Sequence, residues 1–258
     1  MNKGKWRKIW TLARNDFKSR YALSQLGIFW AFFRPVMMAA VYILVFSVIA
    51  RSAPVGDRVP YALWMLPGLI VWFAFSDSVS SGVTVLKDYA WLVKNIRFDI
   101  PLLPAVKVVA TFIVHTFFIV ILAILYPVFG LPIRISMLQL PYYYGATFLI
   151  SLASVRIVSA IWPFFKDFSA LIEIVLMIGV WACPIMWNLD MIPGKYHIIF
   201  RLNPLYHLVQ GYRDSFMGTG WVWDHPLELA VFWAVTLLLW YWGRRLFRLF
   251  GDRFADVL

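Results

Sequence analysis

Charge is scarce in this 258-residue chain: Asp, Glu, Lys and Arg supply 14% of it while apolar residues reach 62%. An ordinary soluble domain carries about 25% charged residues. A water-soluble globule of this length would lack the polar surface to cover so large a core, whereas a bilayer accepts apolar residues on the outside of a bundle as well. Acidic residues are rarer still, 13 against 24 Lys and Arg, for a net charge of +11. These cations sit beside hydrophobic stretches and build no basic domain of their own, which argues against nucleic acid as a partner. Cysteine is nearly absent. Cys183 stands alone in an apolar run, so no intramolecular disulfide forms and packing is its expected role.

Several chemistries are missing as well. No G-x-x-x-x-G-K-[ST] motif occurs, so the chain has no loop of its own with which to use ATP. His115, His197, His207 and His225 have neither metal-ligand spacing nor cysteine neighbours, and neither a metal nor another cofactor is expected in this chain. There is no nucleophile elbow, and no catalytic residue is assigned. The first twenty residues are charged and mixed, unlike a cleavable signal, so this segment is expected to stay in the mature protein. No internal repeat or matched pair of broken helices favours an ion-coupled transporter.

What remains is long hydrophobic runs. A helix needs about 20 mostly apolar residues to cross the hydrocarbon core, and six windows qualify: 28–50, 61–83, 108–129, 142–164, 170–187 and 226–242. If they alternate sides, one side collects Lys3, Lys5, Arg7, Lys8, Arg14, Lys18, Arg20, Lys87, Lys94, Arg97, Lys107, Lys166, Arg244, Arg245, Arg248 and Arg253. The other collects only Arg51, Arg58, Arg134, Lys195, Arg201 and Arg213. Sixteen against six places both termini in the cytoplasm. The expected fold is an all-α polytopic membrane protein, one domain over 1–258 with six transmembrane helices.

Three segments outside the spans carry pattern. Trp6, Ile9, Trp10, Ala13, Phe17 and Tyr21 recur at helical spacing among Lys and Arg, which predicts an amphipathic interface helix within 1–26. The loop 87–104 mixes charges with Tyr89, Trp91, Leu92, Val93, Ile96 and Phe98, more apolar surface than a connector needs. A short amphipathic helix is predicted there, ending before Pro101 and Pro104, either docking a cytoplasmic partner or lying on lipid. The segment 188–224 is aromatic and apolar, and Asn203-Pro204 divides it into pieces near 196–202 and 205–217. Two re-entrant or interfacial helices before the last span are expected, capping the translocation region.

Ionisable groups inside spans are the first functional suspects, because charge in lipid is costly. They are Arg34, Asp77, His115, Arg156, Glu173 and Glu228. Arg34 can snorkel towards phosphate. Arg156 and Glu173 are expected either to pair with each other or to meet substrate, and His115 to serve packing. The 14 Trp, 12 Tyr and 22 Phe exceed what interface belts need, and some rings are expected to face a pathway, where flat faces tolerate a sliding polymer.

Three stretches carry a family resemblance. "RNDFKSRYALSQLGIFWAFFRP", with Arg20, Tyr21, Ser24, Leu26, Gly27, Trp30 and Pro35, resembles the approach to the first span in permeases of ABC-2-type polysaccharide exporters, above all the teichoic-acid translocation permeases. "LVKNIRFDIPLLPAVKV" is similar to their coupling region. "CPIMWNLDMIPGKYHIIFRLNPLYHLVQGYRDSF", with Asn203, Pro204, Tyr212, Arg213 and Asp214, resembles their external re-entrant segment, and the ending "RFADVL" also matches. Cys183 departs from the small hydroxyl residue common before that proline.

The resemblance implies a homodimer joined to two copies of a separate ATPase that holds ATP and Mg, in a bacterial cytoplasmic membrane. Lys87, Asp88, Tyr89, Trp91, Leu92, Lys94 and Phe98 would couple to that ATPase. Lys8, Arg14, Lys18 and Arg20 would meet the diphosphate of an undecaprenyl-linked polymer, by charge and by their level in the membrane. Tyr206, Tyr212, Arg213 and Asp214 would form a conduit or gate. Wall teichoic acid is the leading cargo, with O-antigen or capsular polysaccharide as the alternative. A membrane-embedded glycosyl or acyl transferase is the alternative of another class, but it would need convergent carboxylates, and the charges in this chain are scattered.

Overall fold

A computed structural model describes residues 3–20, 24–49, 59–95 and 99–258, and every regular element among them is helical. The chain opens with α1 (Lys3–Ser19), in which Ile9, Ala13 and Asp16 recur on one buried stripe while Trp6 and Trp10 stay exposed. It is therefore packed against protein along one face and free along the other. There follow α2 (Phe29–Ile43), continued by a π-helical stretch Leu44–Ile49, and α3 (Tyr61–Val83). The loop expected to hold a coupling helix holds two short ones, α4 (Val85–Asp88) and α5 (Ala90–Asn95). Next come α6 (Leu103–Val128), α7 (Leu140–Ile161) and α8 (Phe168–Ala182). The expected pieces before the last span appear as α9 (His197–Arg201) and α10 (Pro204–Met217), and α11 (Pro226–Phe250) and α12 (Phe254–Val257) close the chain.

Among the described residues, five segments are long and apolar enough to cross a membrane: Phe29–Phe46, Tyr61–Val83, Ile100–Val128, Ile135–Ile161 and Pro226–Phe250. The window 170–187 differs from expectation. Its helix α8 has 15 residues, about 22 Å at 1.5 Å per residue, against a hydrocarbon core of about 30 Å. Pro184 is the cause, since the residue before a proline avoids the helical region, and Cys183 is extended at φ −106°, ψ 131°. The ends of this stretch nevertheless lie far apart in the bundle. Phe164, just before α8, packs on Phe250 and Phe254 at ring-centroid distances of 4.7 and 6.1 Å. Beyond α8, the carbonyl of Met186 accepts a hydrogen bond from Tyr61 at the start of α3.

Both termini pack on the connection between α3 and α6. α1 lies along α6 and α12 touches α5, and Ile9, Ala13, Leu92, Val93, Leu103, Phe247 and Phe254 share one apolar cluster. This end of the bundle is called the terminal end below. The second cluster fills the far end, where α10 is inserted among α3, α7 and α11 with Leu208, Tyr212 and Phe216 against Met65, Leu69, Tyr126 and Tyr143. The fit is close. A Cβ on Gly211 would stand 2.0 Å from the Tyr143 ring.

Local chemistry sets the limits of α10. Asn203 accepts the Leu205 N–H at 3.0 Å, and Gly218 ends the helix in the left-handed region at φ +69°, its N–H bonded to the Asp214 carbonyl at 2.8 Å. In α3, Pro67 has no N–H to give to the carbonyl four residues back. That carbonyl, of Leu63, instead accepts from Tyr126 of α6 at 2.9 Å. A broken helical bond thus becomes a tie between two spans, as a lipid-embedded backbone requires.

Candidate functional site

Between α2, α3, α6 and α8 lies a groove with a cavity of about 920 Å³. Its walls are aromatic, with Trp30, Tyr42, Trp72, Phe73, Phe118 and Trp181, and its charged groups are Arg20, Arg34, Asp77 and Glu173. Asp77 accepts from Thr111 at 2.9 Å and is 57% exposed into the groove. Arg34 and Glu173 have no ion pair among the described residues. Flat rings with polar edges around an accessible volume can stack on sugar faces without fixing one register. The groove is one-sided: of the most apolar 18 residues in α3, 67% are buried, against 6% in α2. The outer face of α8, including Leu171, Ile174, Val175 and Ile178, is also exposed.

The terminal end of the groove runs into a network of charges. Asp16 of α1, 6% exposed, accepts from Lys107 at 2.7 Å, from Arg20 at 2.9 Å and from Tyr89 at 3.1 Å. Lys107 also pairs with Asp88 at 2.9 Å, and Arg20 continues to Asp77 at 3.6 Å and to the Ser81 hydroxyl at 3.2 Å. Burial, with the Asp16 carboxylate beside it, pushes the Tyr89 phenol above its ordinary range, so it stays a neutral donor. Asp88 on α4, Asp16 on α1 and Asp77 in the groove are thereby linked through two cations. A smaller pocket of about 440 Å³ opens beside this network, bounded by Asp16, Arg20, Asp88, Tyr89, Trp91 and Lys107.

The residues expected to couple to an ATPase divide into two sets. Lys87, Asp88, Trp91 and Lys94 are exposed, Lys87 lying 5.8 Å from the Trp162 ring centroid. Tyr89 and Leu92 turn inward, into the network and the apolar cluster, and Phe98 lies outside the described residues. Of the cations expected to meet lipid diphosphate, Lys8, Arg14 and Lys18 are exposed and make no ion pair among the described residues. Arg20 is engaged by Asp16, Asp77 and Ser81 instead.

The four residues expected to form a gate lie at the far end, behind the groove wall. Arg213, 2% exposed, donates to the backbone carbonyls of Trp64, Pro184 and Ile185 at 3.2, 2.9 and 2.7 Å and stacks on the Trp64 ring at 3.6 Å. It clasps α10 to α3 and to the extended residues after α8. Asp214 accepts from Gln210 at 3.0 Å and from Thr219, and meets His225 at 3.3 Å. Tyr206 is half-buried. Only Tyr212 reaches the groove, through a 2.8 Å hydrogen bond to His115, which lines it.

The intramembrane charges are placed apart from one another. Arg156 does not pair with Glu173: its guanidinium lies 4.1 Å from the Trp240 ring centroid on α11, while Glu173 lines the groove. Glu228 is buried and paired with Arg201. Asp16 and Lys107 do not stand out in the sequence as functional residues, although one signal is present: Asp16 continues the buried stripe of Ile9 and Ala13 as the lone acid of α1. A carboxylate on a packed face needs a cation opposite.

These features define a multi-pass helical membrane protein with an aromatic groove, a charged end that receives an exposed helical loop, and no metal-binding cluster among its described residues. The chain belongs to the ABC-2 type transporter family, whose model matches residues 7–217, from α1 to the end of α10. It is similar to the O-antigen export system permease protein RfbA of Klebsiella pneumoniae, 24% identical over 258 residues, covering 96% of this chain and 93% of that protein. It is similar as well to the O-antigen export system permease protein RfbA of Myxococcus xanthus, 25% identical over 255 residues and covering 96% and 94%.

Proposed function

We propose that this chain is the membrane-spanning subunit of an ATP-driven exporter that moves a lipid-linked polysaccharide out across a bacterial cytoplasmic membrane. The observation that carries this reading is the groove: an aromatic-walled channel half, open on one side, whose charged end connects through Arg20, Asp16 and Lys107 to Asp88 on the exposed α4–α5 loop. Membership of the ABC-2 family supports an engine on a separate ATPase subunit, holding ATP and Mg, docked on Lys87, Asp88, Trp91 and Lys94. Two copies of the chain would close the groove, with α2 and α8 nearest the seam. Both termini then face the cytoplasm on six crossings, a count supported by the placement of α8 between the two ends of the bundle. In this reading α9 and α10 are re-entrant, and α10 controls the far mouth through Tyr212 and His115.

For the cargo, the names of the relatives favour O-antigen-like polysaccharide over wall teichoic acid. The lipid diphosphate meets Lys8, Arg14 and Lys18, which are exposed on α1 and held by no carboxylate among the described residues. Purification from the native host tests the engine: a stoichiometric ATPase is expected with the wild-type chain and is lost on Trp91→Asp, with membrane insertion intact. A Trp91→Asp chain that keeps its ATPase and its transport rules out the docking role. Reconstitution with defined O-antigen and teichoic-acid lipid precursors tests the cargo, and faster transport of the teichoic acid would reverse the preference for O-antigen.

A further inference from the structure

α7 and α11 pack side by side, and no residue of either lines the groove. Their outward face carries a separate cluster. Arg156 of α7 lies on one ring of α11, Trp240, at 4.1 Å, and Arg244 lies 5.8 Å from the same ring centroid. Arg245 is 5.5 Å from Trp242. The approach is tight because residue 243 is glycine: a Cβ there would stand 2.9 Å from Cβ of Arg156. Nε and Nη1 of Arg156 are buried with no hydrogen-bond partner among the described residues. None of Arg156, Arg244, Arg245 and Arg248 takes part in a salt bridge among them either.

The position of these groups defines their ligand. Arg156 lies five residues before the end of α7 at Ile161, about 8 Å along the axis, and Arg244 to Arg248 occupy the last turns of α11. That is the depth of the headgroup layer on the terminal side, where Trp rings and snorkelling cations belong. Unpaired guanidinium groups on a lipid-facing helix pair are costly unless an anion meets them. The only anions that layer supplies in quantity are lipid phosphates. A phosphate beside both guanidinium groups would neutralise the two charges, while Trp240 holds them in place by cation–π attraction.

We propose that Arg156, Arg244 and Trp240 form a binding site for the phosphate of an anionic glycerophospholipid, in the leaflet at the end that holds both chain termini. The site is distinct from the groove and does not depend on the cargo.

The test uses the purified exporter complex in nanodiscs of phosphatidylcholine, alone or with phosphatidylglycerol or with undecaprenyl phosphate, read by native mass spectrometry and thermal unfolding. Wild type is expected to retain phosphatidylglycerol and to gain thermal stability from it. Arg156→Gln and Arg244→Gln each weaken retention roughly fivefold, as expected for about one cation near an anionic surface, and the double variant loses the thermal gain. Should Arg156→Gln fail to fold, the exposed Arg244→Gln carries the test. Unchanged retention in Arg244→Gln overturns the site. So does stabilisation by phosphatidylcholine or undecaprenyl phosphate equal to that by phosphatidylglycerol.

Discussion

Lys107 and Arg213 are both buried cations, 5% and 2% exposed, at opposite ends of the same bundle. Lys107 faces two carboxylates, Asp16 and Asp88, whereas Arg213 has no ion pair among the described residues and is held by three backbone carbonyls and a Trp ring. The difference separates a joint that can be rearranged from one that cannot. At the terminal end, Asp88 and Asp77 are 37% and 57% exposed, so each can exchange its cation for water or for another charge at small cost. At the far end, the carbonyls that meet Arg213 belong to α3 and to the segment around Pro184, and the guanidinium that joins them is buried away from competing water. Motion delivered by a docked ATPase would be taken up at the terminal end, with the far end as its fulcrum.

The largest effect is expected where the joint is rigid. Arg213→Met removes three buried, charged hydrogen bonds together with the stacking on Trp64, for a loss of about 3–5 kcal/mol. Arg213→Lys recovers only part of it, because a single ammonium cannot span the positions a planar fork reaches. Thermal and chemical unfolding of the purified complex measure both, and an unchanged Arg213→Met would dissolve the contrast between the two ends.

Asp16→Asn is expected to cost less, about 2–3 kcal/mol, because Lys107 keeps Asp88 as a partner. Combining it with Lys107→Met should restore part of the stability, since the coupling between contacting charges is not additive. Raising the salt concentration sharpens the comparison. Screening reaches Asp77 and Asp88 and should weaken the terminal network, while the Arg213 clasp is sheltered. Equal salt sensitivity of the Asp16 and Arg213 variants would show that the ends are not differently built.

The sequence is most legible where a local rule acts alone. Asn203-Pro204 marks a helix start in any context, and α9 and α10 stand within a residue or so of the expected pieces. The window 170–187 is too long because apolar content runs through Cys183 and Pro184, while the helical backbone does not. The last window stops too early for the converse reason: Arg244, Arg245 and Arg248 end hydrophobicity but not the helix, and α11 continues to Phe250. Roles that depend on what lies opposite are harder to read. Tyr89 and Leu92 look like docking residues beside Trp91, yet only packing against α1 and α6 decides which side chains turn outward. Arg213 is expected at a gate from its segment, and only the carbonyls around it show that its side chain ties α10 to α3 and to the residues after α8. One clue to its role is available: Pro67 breaks α3 and announces a carbonyl needing a donor from another helix, and the neighbouring carbonyl of Trp64 is one that Arg213 takes.

The smallest predicted effect concerns a half-buried histidine on the rigid end. His225 Nε2 lies 3.3 Å from Asp214 Oδ2, and that carboxylate raises its pKa above the ordinary 6.5 against the opposing effect of partial burial. A histidine whose pKa is higher folded than unfolded contributes stability that is complete below the unfolded value and fades as pH rises through the folded one. Wild type should therefore lose a little stability as the pH rises above about 6.5, and His225→Asn should remove that part of the slope. The imidazole is 33% exposed, so solvent screening keeps the effect under about 1 kcal/mol. Thermal unfolding against pH measures it. If His225→Asn keeps the wild-type slope, the titrating group is elsewhere, and the far end would be held by neutral hydrogen bonds and the Arg213 clasp with no proton-dependent tie between α10 and α11.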